Sequence, residues 1–393
     1  MRTKLRRTAG ALVAGSAAVA LAVAMAPGAM ALMNPGPPGT YHDSNFIPQV
    51  HASTVYRIAG SDRIATAIMA AQTKLAWGQG VAGNGNANFV NGCNVILARD
   101  DDFADALVSG ALADVRNAPI LVNPTASLDA RVAAEIGILA GQCHAGHGIG
   151  NGPGAQFKVT IVGGIGAISM NVVTGLHGNG FWNVERLQGI DRYATSLTVA
   201  HETVAMLHNH GIHNMNVILA TGTNWPDALA AGPAATSHKG IVLLTNGTAM
   251  DPDTTAYLKQ LATEVGWTSA PTVYAAGGPA AAAAPDAIPF VGRDRYQTAS
   301  MLADYFFQFL PSANRIHNVG VASGENYADA VIAGGFMANS DGPLLLTHKT
   351  YLVDVTAAYL SSQRDWVNNA FVFGGTGVID PVVATEVSAA LFN

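Results

Sequence analysis

LQGIDRYATSLTVAHETV, residues Leu187–Val204, closes a short apolar run, turns at a glycine and enters an amphipathic stretch. The chain carries this signal three times. IAGSDRIATAIMAAQ starts at Ile58 and FVGRDRYQTASMLADYF at Phe290, so Gly-x-Asp-Arg recurs with its Asp at Asp62, Asp191 and Asp294. Further landmarks follow each copy in one order. They are NVILARDDDFADALVSGALA, APILV and VTIVGG, then NVILATGTNWPDALAAGPAA, GIVLL and TVYAAGG, then NVGVASGENYADAVIAGGFMA, GPLLL and AFVFGG. Matched blocks in a fixed order identify three homologous units, which we place at residues 54–180, 181–286 and 287–393.

Inside each unit, short apolar runs alternate with helical patterns, the signature of an α/β fold with a parallel sheet. The runs are nearly continuous in hydrophobicity, as strands covered on both faces must be. After Asp191, the side chains of Tyr193, Leu197, Ala200, Val204 and Leu207 recur three or four residues apart and make one apolar helical stripe.

The amino end reads differently. Residues 1–31 carry Arg2, Lys4, Arg6 and Arg7, then an Ala/Val/Leu run, then Ala29-Met30-Ala31. This is a secretory signal with a cut expected between Ala31 and Leu32; an uncleaved anchor is the alternative. Residues 32–53, rich in Pro and Gly, read as a flexible lead-in. No later run approaches the ~18 apolar residues that a membrane span requires, so the mature chain is expected to be exported and free of the membrane. Loss of the signal leaves 16 basic against 26 acidic residues, a net charge of −10. That balance argues against nucleic acid or anionic lipid as a partner, since both need a basic surface.

The two cysteines, Cys93 and Cys143, both fall in unit one, in Gly/Asn-rich segments that precede expected strands. In an oxidising compartment a disulfide between them is the reading, with a metal site through His144 and His147 as the alternative.

In Gly-x-Asp-Arg the glycine lets the chain leave the strand, and Asp62, Asp191 and Asp294 are placed to cap the helix that follows. The same capping reading extends to Asp105, Asp227 and Asp329, each at the start of an Ala-rich helix and two residues after an aromatic: Phe103, Trp225 and Tyr327. Capping does not account for Arg63, Arg192 and Arg295. A guanidinium at a strand's carboxyl end either pairs with a carboxylate of a neighbouring unit or grips an anionic ligand.

Three successive units with GSDRIAT, FADALVSG, PILV and VGG resemble the cell wall binding repeat 2 family of Gram-positive bacteria, over about 340 residues of the chain. The resemblance implies flavodoxin- or receiver-like α/β units interlocked by their helices as a pseudo-trimer. It also implies noncovalent attachment to an anionic cell-wall glycopolymer, at a wall-associated location outside the cell. The family's Pro-Ile-Leu-Leu motif, linked there to polymer attachment, falls on Pro119, Ile120, Leu121 and Val122, on Ile241, Val242, Leu243 and Leu244 with Gly240 in the Pro place, and on Pro343, Leu344, Leu345 and Leu346. Read as residues, the same runs are buried strands. No cysteine follows the signal cut for lipid attachment, and ATEVSAALFN at the end shows no sorting motif. The expectation is a free-standing binder or coat component that needs no cofactor or metal.

Three rivals stand beside it. A surface-layer protein would assemble with copies of itself. An enzyme acting on the wall or on nucleotides finds only VGGIGAIS at Val162, which has Ser169 in the third glycine place of a dinucleotide fingerprint. Asp100, Asp101, Asp102 and Asp105 in unit one, or His208, His210 and His213, could seat a cation, but surface turns explain both groups as well.

Overall fold

The computed structural model describes residues 54–76, 93–146, 157–264, 270–308 and 318–392. The expected signal segment, its expected Ala31–Leu32 cut, the 32–53 lead-in, His147 and the side chains of Cys143 and His144 lie outside the described residues. The protein is α/β, with three parallel sheets of four strands each.

The first sheet holds β2 (Asn94–Arg99), β3 (Ile120–Asn123), β4 (Lys158–Val162) and β5 (Val184–Leu187), in the order β3-β2-β4-β5. The second holds β6 (Asn216–Thr221), β7 (Ile241–Thr245), β8 (Thr272–Ala276) and β9 (Ile288–Phe290), in the order β7-β6-β8-β9. The third is β1-β12-β10-β11, built from β10 (Asn318–Ser323), β11 (Leu344–Thr347), β12 (Asn369–Phe373) and β1 (Thr54–Ile58).

The sheets do not follow the sequence units. Each unit sends its first strand into the sheet of the unit before it: β5 pairs with β4 and β9 with β8. The strand β1 closes the ring on β12, with Thr54 opposite Asn369 and Ile58 opposite Phe373.

The helices interlock in the same rotation. At the centre, α2 (Ala104–Arg116), α6 (Ala231–Ser237) and α10 (Tyr327–Ala338) pack on one another around a pseudo-threefold axis. Their approach depends on small residues at equivalent places, Gly110, Gly232 and Gly334. A Cβ on Gly110 would sit 3.4 Å from the Cα of Gly232, and one on Gly334 would sit 3.3 Å from the carbonyl of Leu229. Outside them, α1 (Arg63–Ala76), α5 (Arg192–Asn209) and α9 (Arg295–Gln308) cover β3, β7 and β11 of their own units. Each also packs against the preceding unit's central helix, α1 on α10, α5 on α2 and α9 on α6. One hydrophobic core consequently runs through all three units, from Ile58 and Leu107 to Ile218 and Val331.

Cys143, in one of the Gly/Asn-rich segments, lies in the last turn of the helix α3 (Ala130–Gly146). Among the described residues no helix is long and apolar enough to cross a membrane, and no group of His, Cys, Asp or Glu is arranged to hold a metal ion.

Candidate functional site

The Gly-x-Asp-Arg turns mark the points where the chain leaves one unit's sheet and begins the next unit's helix. Asp62, Asp191 and Asp294 each accept, through Oδ1, the N–H of the residue three further on, at 2.8, 2.9 and 2.9 Å. The glycine serves close approach rather than a left-handed turn, since Gly60, Gly189 and Gly292 are not among the glycines of positive φ. Their missing side chains let the strand end lie against the first helical turn, where each glycine N–H donates to a threonine hydroxyl: Thr66 and Thr195 at 3.0 Å, Thr298 at 3.2 Å.

Each arginine has two attachments. Arg63, Arg192 and Arg295 donate to the backbone carbonyls of Asp100, Gly222 and Gly324, just past β2, β6 and β10 of their own units. Each guanidinium also lies over an aromatic ring of the preceding unit: Arg63 over Tyr327 at 5.8 Å, Arg192 over Phe103 at 5.4 Å and Arg295 over Trp225 at 5.2 Å. Tyr327 in turn contacts Phe103 and Trp225, at 6.0 and 6.2 Å between ring centroids. Three cation–π contacts therefore gather at the strands' carboxyl ends around the axis. Each is the kind of contact worth about 0.5–2 kcal/mol, depending on desolvation.

Asp105, Asp227 and Asp329 do not act as the caps that the sequence suggested. Of α2, α6 and α10, only α10 has a side-chain cap, Asn326, which accepts from the N–H of Ala328 at 3.1 Å. Asp102 and Asn224, at the same offset, accept the N–H of the residue that follows them, Phe103 at 2.7 Å and Trp225 at 3.0 Å, and α6 starts only at Ala231. The later carboxylates turn instead toward the next unit's arginine and toward a left-handed glycine of their own unit, Gly163, Gly277 or Gly374. Burial pushes all three above the usual carboxylate range. Thr298 and Arg295 oppose the rise at Asp227, and Thr66 and Arg63 oppose it at Asp329. The one direct arginine–carboxylate pair of this ring among the described residues is Arg192 with Asp102, at 3.3 Å.

Asp105 is pushed to about 6, first by burial and then by the charge of Asp102, against the pull of Arg99 and Arg192. A raised folded value means that the folded chain holds this proton more tightly than the unfolded chain does. Stability is therefore highest below the ordinary value of 3.8 and falls as pH rises toward 6. Asp105→Asn is expected to flatten that slope and to add about 1–2 kcal/mol at pH 7, measured by urea unfolding at several pH values.

The Pro-Ile-Leu-Leu runs form strands that are sealed from solvent. Leu121, Leu243 and Leu345 are fully buried, as are Leu244 and Leu346, and Ile120, Val122, Ile241, Val242 and Leu344 are nearly so. Pro343 is buried and Pro119 partly exposed. Ile120 packs into the space left by Gly335 on α10, so this run reaches across an inter-unit seam. These side chains hold helices in place, and Pro119 and Ile120 also line a small pocket against Ile332 and Phe336 of α10.

One seam holds a group that the sequence reading missed. Arg116, at the end of α2, is 2% exposed and reaches Glu185 on β5 at 2.8 Å, Glu202 on α5 at 2.5 Å, and the hydroxyl of Thr160. Its equivalents at the other seams, eleven residues after Asp227 and Asp329, are His238 and Ser340. His238 lies edge-on to Phe306 within an aromatic cluster, at 5.3 Å.

Residues 57–173, 186–284 and 290–384 each match the family model of Cell wall binding domain 2 (CWB2). The chain belongs to that family. The three matches are the three units, and cell wall binding is the function that the CWB2 family carries. Among curated relatives, N-acetylmuramoyl-L-alanine amidase LytC of Bacillus subtilis is 22% identical over 352 residues, covering 88% of this chain and 60% of the amidase. The amidase enhancer of the same organism is 29% identical over 192 residues, 48% of this chain and 21% of that protein. The CWB2 chain is also similar in fold to Cwp6 from Clostridium difficile, with a TM-score of 0.66 at 21% identity, covering 90% of this chain and 50% of that one. Cwp8 from the same organism gives 0.65 at 19% identity, covering 86% and 51%. The chain thus spans 60% or less of each of these proteins.

Proposed function

We propose that the chain is exported, released from its signal between Ala31 and Leu32, and held at the wall by noncovalent binding of an anionic glycopolymer, without turnover. The observation that supports this is the repeated arginine-on-aromatic contact at the strands' carboxyl ends, where open parallel sheets collect ligands. Arg192 keeps 33% of its side chain exposed, so part of its fork remains available to a phosphate or carboxylate. With a net charge of −10 after signal removal, attraction must come from such local groups rather than from the overall field. The buried Pro-Ile-Leu-Leu strands would serve this site indirectly by fixing the helices that carry the arginines.

Sedimentation with wall sacculi, intact and stripped of anionic polymer, tests the reading. Intact walls are expected to carry the protein down and stripped walls to leave it in solution. Equal capture by both would defeat polymer binding, and release of a sugar or peptide would make the protein an enzyme. Arg192→Ala is expected to weaken capture by about 1–3 kcal/mol. Unfolding measured on the same variant shows how much of that loss comes from the inter-unit contact with Phe103 and Asp102.

We further propose that Cys93 and Cys143 are bridged. Cys93 precedes β2, and Cys143 sits at the end of α3, the helix that returns the chain to the strands' amino-terminal edge. Titration of the denatured, nonreduced secreted protein is expected to find no free thiol; two would reject the bridge.

A further inference from the structure

The three units match at the axis but not at their rims. In the loop after β11, unit three carries His348, Lys349 and Tyr351, where unit one has Pro124, Thr125 and Ser127 and unit two has Asn246, Gly247 and Ala249. From these residues we infer a sugar-stacking subsite on unit three, which accepts a pyranose ring of the wall glycopolymer; it rests on the polymer-binding reading above.

Its geometry is prepared in advance. The Tyr351 ring is 50% exposed and lies nearly parallel to the imidazole of His348, with centroids 4.6 Å apart and planes at 19°. The imidazole is pinned on both sides. Its Nδ1 accepts the N–H of Thr350 at 3.4 Å and lies 3.2 Å from the Thr350 hydroxyl, and its Nε2 lies 3.1 Å from Glu325 Oε1. The loop backbone is clamped as well: Glu325 Oε2 accepts from Lys349 N–H at 2.9 Å, Thr347 Oγ1 donates to the Tyr351 carbonyl at 3.0 Å and Leu352 N–H donates to Glu386 at 2.7 Å.

Ordering an aromatic ring at the surface without burying it returns little stability, because the rotamer entropy is lost and half the apolar face stays in water. The same ordering favours binding, since the entropy of fixing the ring is already spent before a ligand arrives. A flat apolar face in one short loop with a lysine, and with a carboxylate on its stacked imidazole, suits a pyranose. Its C–H face packs on the ring, its hydroxyls donate to Glu325, and a charged substituent meets Lys349. The subsite also adjoins the axis. Arg295 bonds the carbonyl of Gly324, next to Glu325, so an anionic repeat held at Arg295 would have its neighbouring sugar toward Tyr351.

Binding isotherms of the full chain on intact and polymer-stripped sacculi test the subsite with Tyr351→Ala and Tyr351→Phe. Tyr351→Ala is expected to weaken binding to intact walls about tenfold, and Tyr351→Phe, which keeps the ring, to stay within about twofold of the parent. Both should melt at the parental temperature, because the ring is half in solvent. A parent that prefers intact walls together with an unchanged Tyr351→Ala overturns the subsite alone, and equal loss in both variants overturns stacking as its basis. A parent that fails to distinguish intact from stripped walls removes the polymer reading and the subsite with it.

Discussion

Arg116→Ala is expected to destabilise the protein by about 3 kcal/mol, read as a lowered midpoint in urea unfolding. The value lies at the low end for a broken buried ion pair, because Glu185 and Glu202 keep 29% and 32% of their side chains exposed and water can partly recover them. The guanidinium ties the end of α2 to β4, β5 and α5, so its loss loosens the seam between units one and two rather than one element. Replacing Arg116, Glu185 and Glu202 together by apolar residues is expected to recover most of the loss, since the cost comes from stranded carboxylates more than from a missing attraction.

The pH dependence separates these cases. Burial tends to raise Glu185, but the hydrogen bond and charge of Arg116, with help from Lys158, hold it below the usual range. A depressed carboxylate contributes stability above its unfolded value of about 4.5 and loses it as pH falls through the folded one. Without Arg116 only burial and the weaker pull of Lys158 and Thr160 remain. The acid-side loss should shrink or reverse in Arg116→Ala, and a variant with the parental acid profile would show that Glu185 does not depend on Arg116.

Gly189→Ala is expected to cost about 2–3 kcal/mol, the range for overpacking against atoms that cannot retreat. The added Cβ would lie 2.3 Å from both the carbonyl carbon and the Cβ of Ala194 and 2.5 Å from the nitrogen of Thr195, in the first turn of α5. Moving that turn away breaks the Asp191 cap and the bond from Gly189 N–H to Thr195. A control is available at Gly178, the last residue of α4 (Met170–Gly178), where a Cβ meets nothing within 4 Å. Gly178→Ala should be neutral or slightly stabilising, because it mainly restricts the unfolded chain. Equal thermal midpoints for the two variants would show that close approach does not explain the glycine of the repeated turn.

The repeated turn also shows how far the sequence reaches. Its Asp caps a helix through an N–H three residues away, and the apolar runs become strands because almost every residue in them is buried; both are short-range consequences of the residues themselves. The three units and their α/β class follow from the same local signals, repeated. The second set of carboxylates defeated this reasoning. Asp105 sits in the first turn of α2 as a cap would, yet no side chain caps that helix, and nothing local shows that Asp105 is turned toward Arg192 of the next unit.

Three units, their strands and helices, and membership of a family that binds cell walls are all legible in the residues read in order. Packing in three dimensions was needed to see that β1 completes the sheet of β12, more than 300 residues away, that each arginine lies on the preceding unit's aromatic ring, and that Arg116 is enclosed by two glutamates. The physical reason is one of range. A capping bond or a buried strand is specified within a few neighbouring residues, whereas an edge strand can pair with any of three similar sheets, and the choice among them is made by contacts that exist only once the ring has closed.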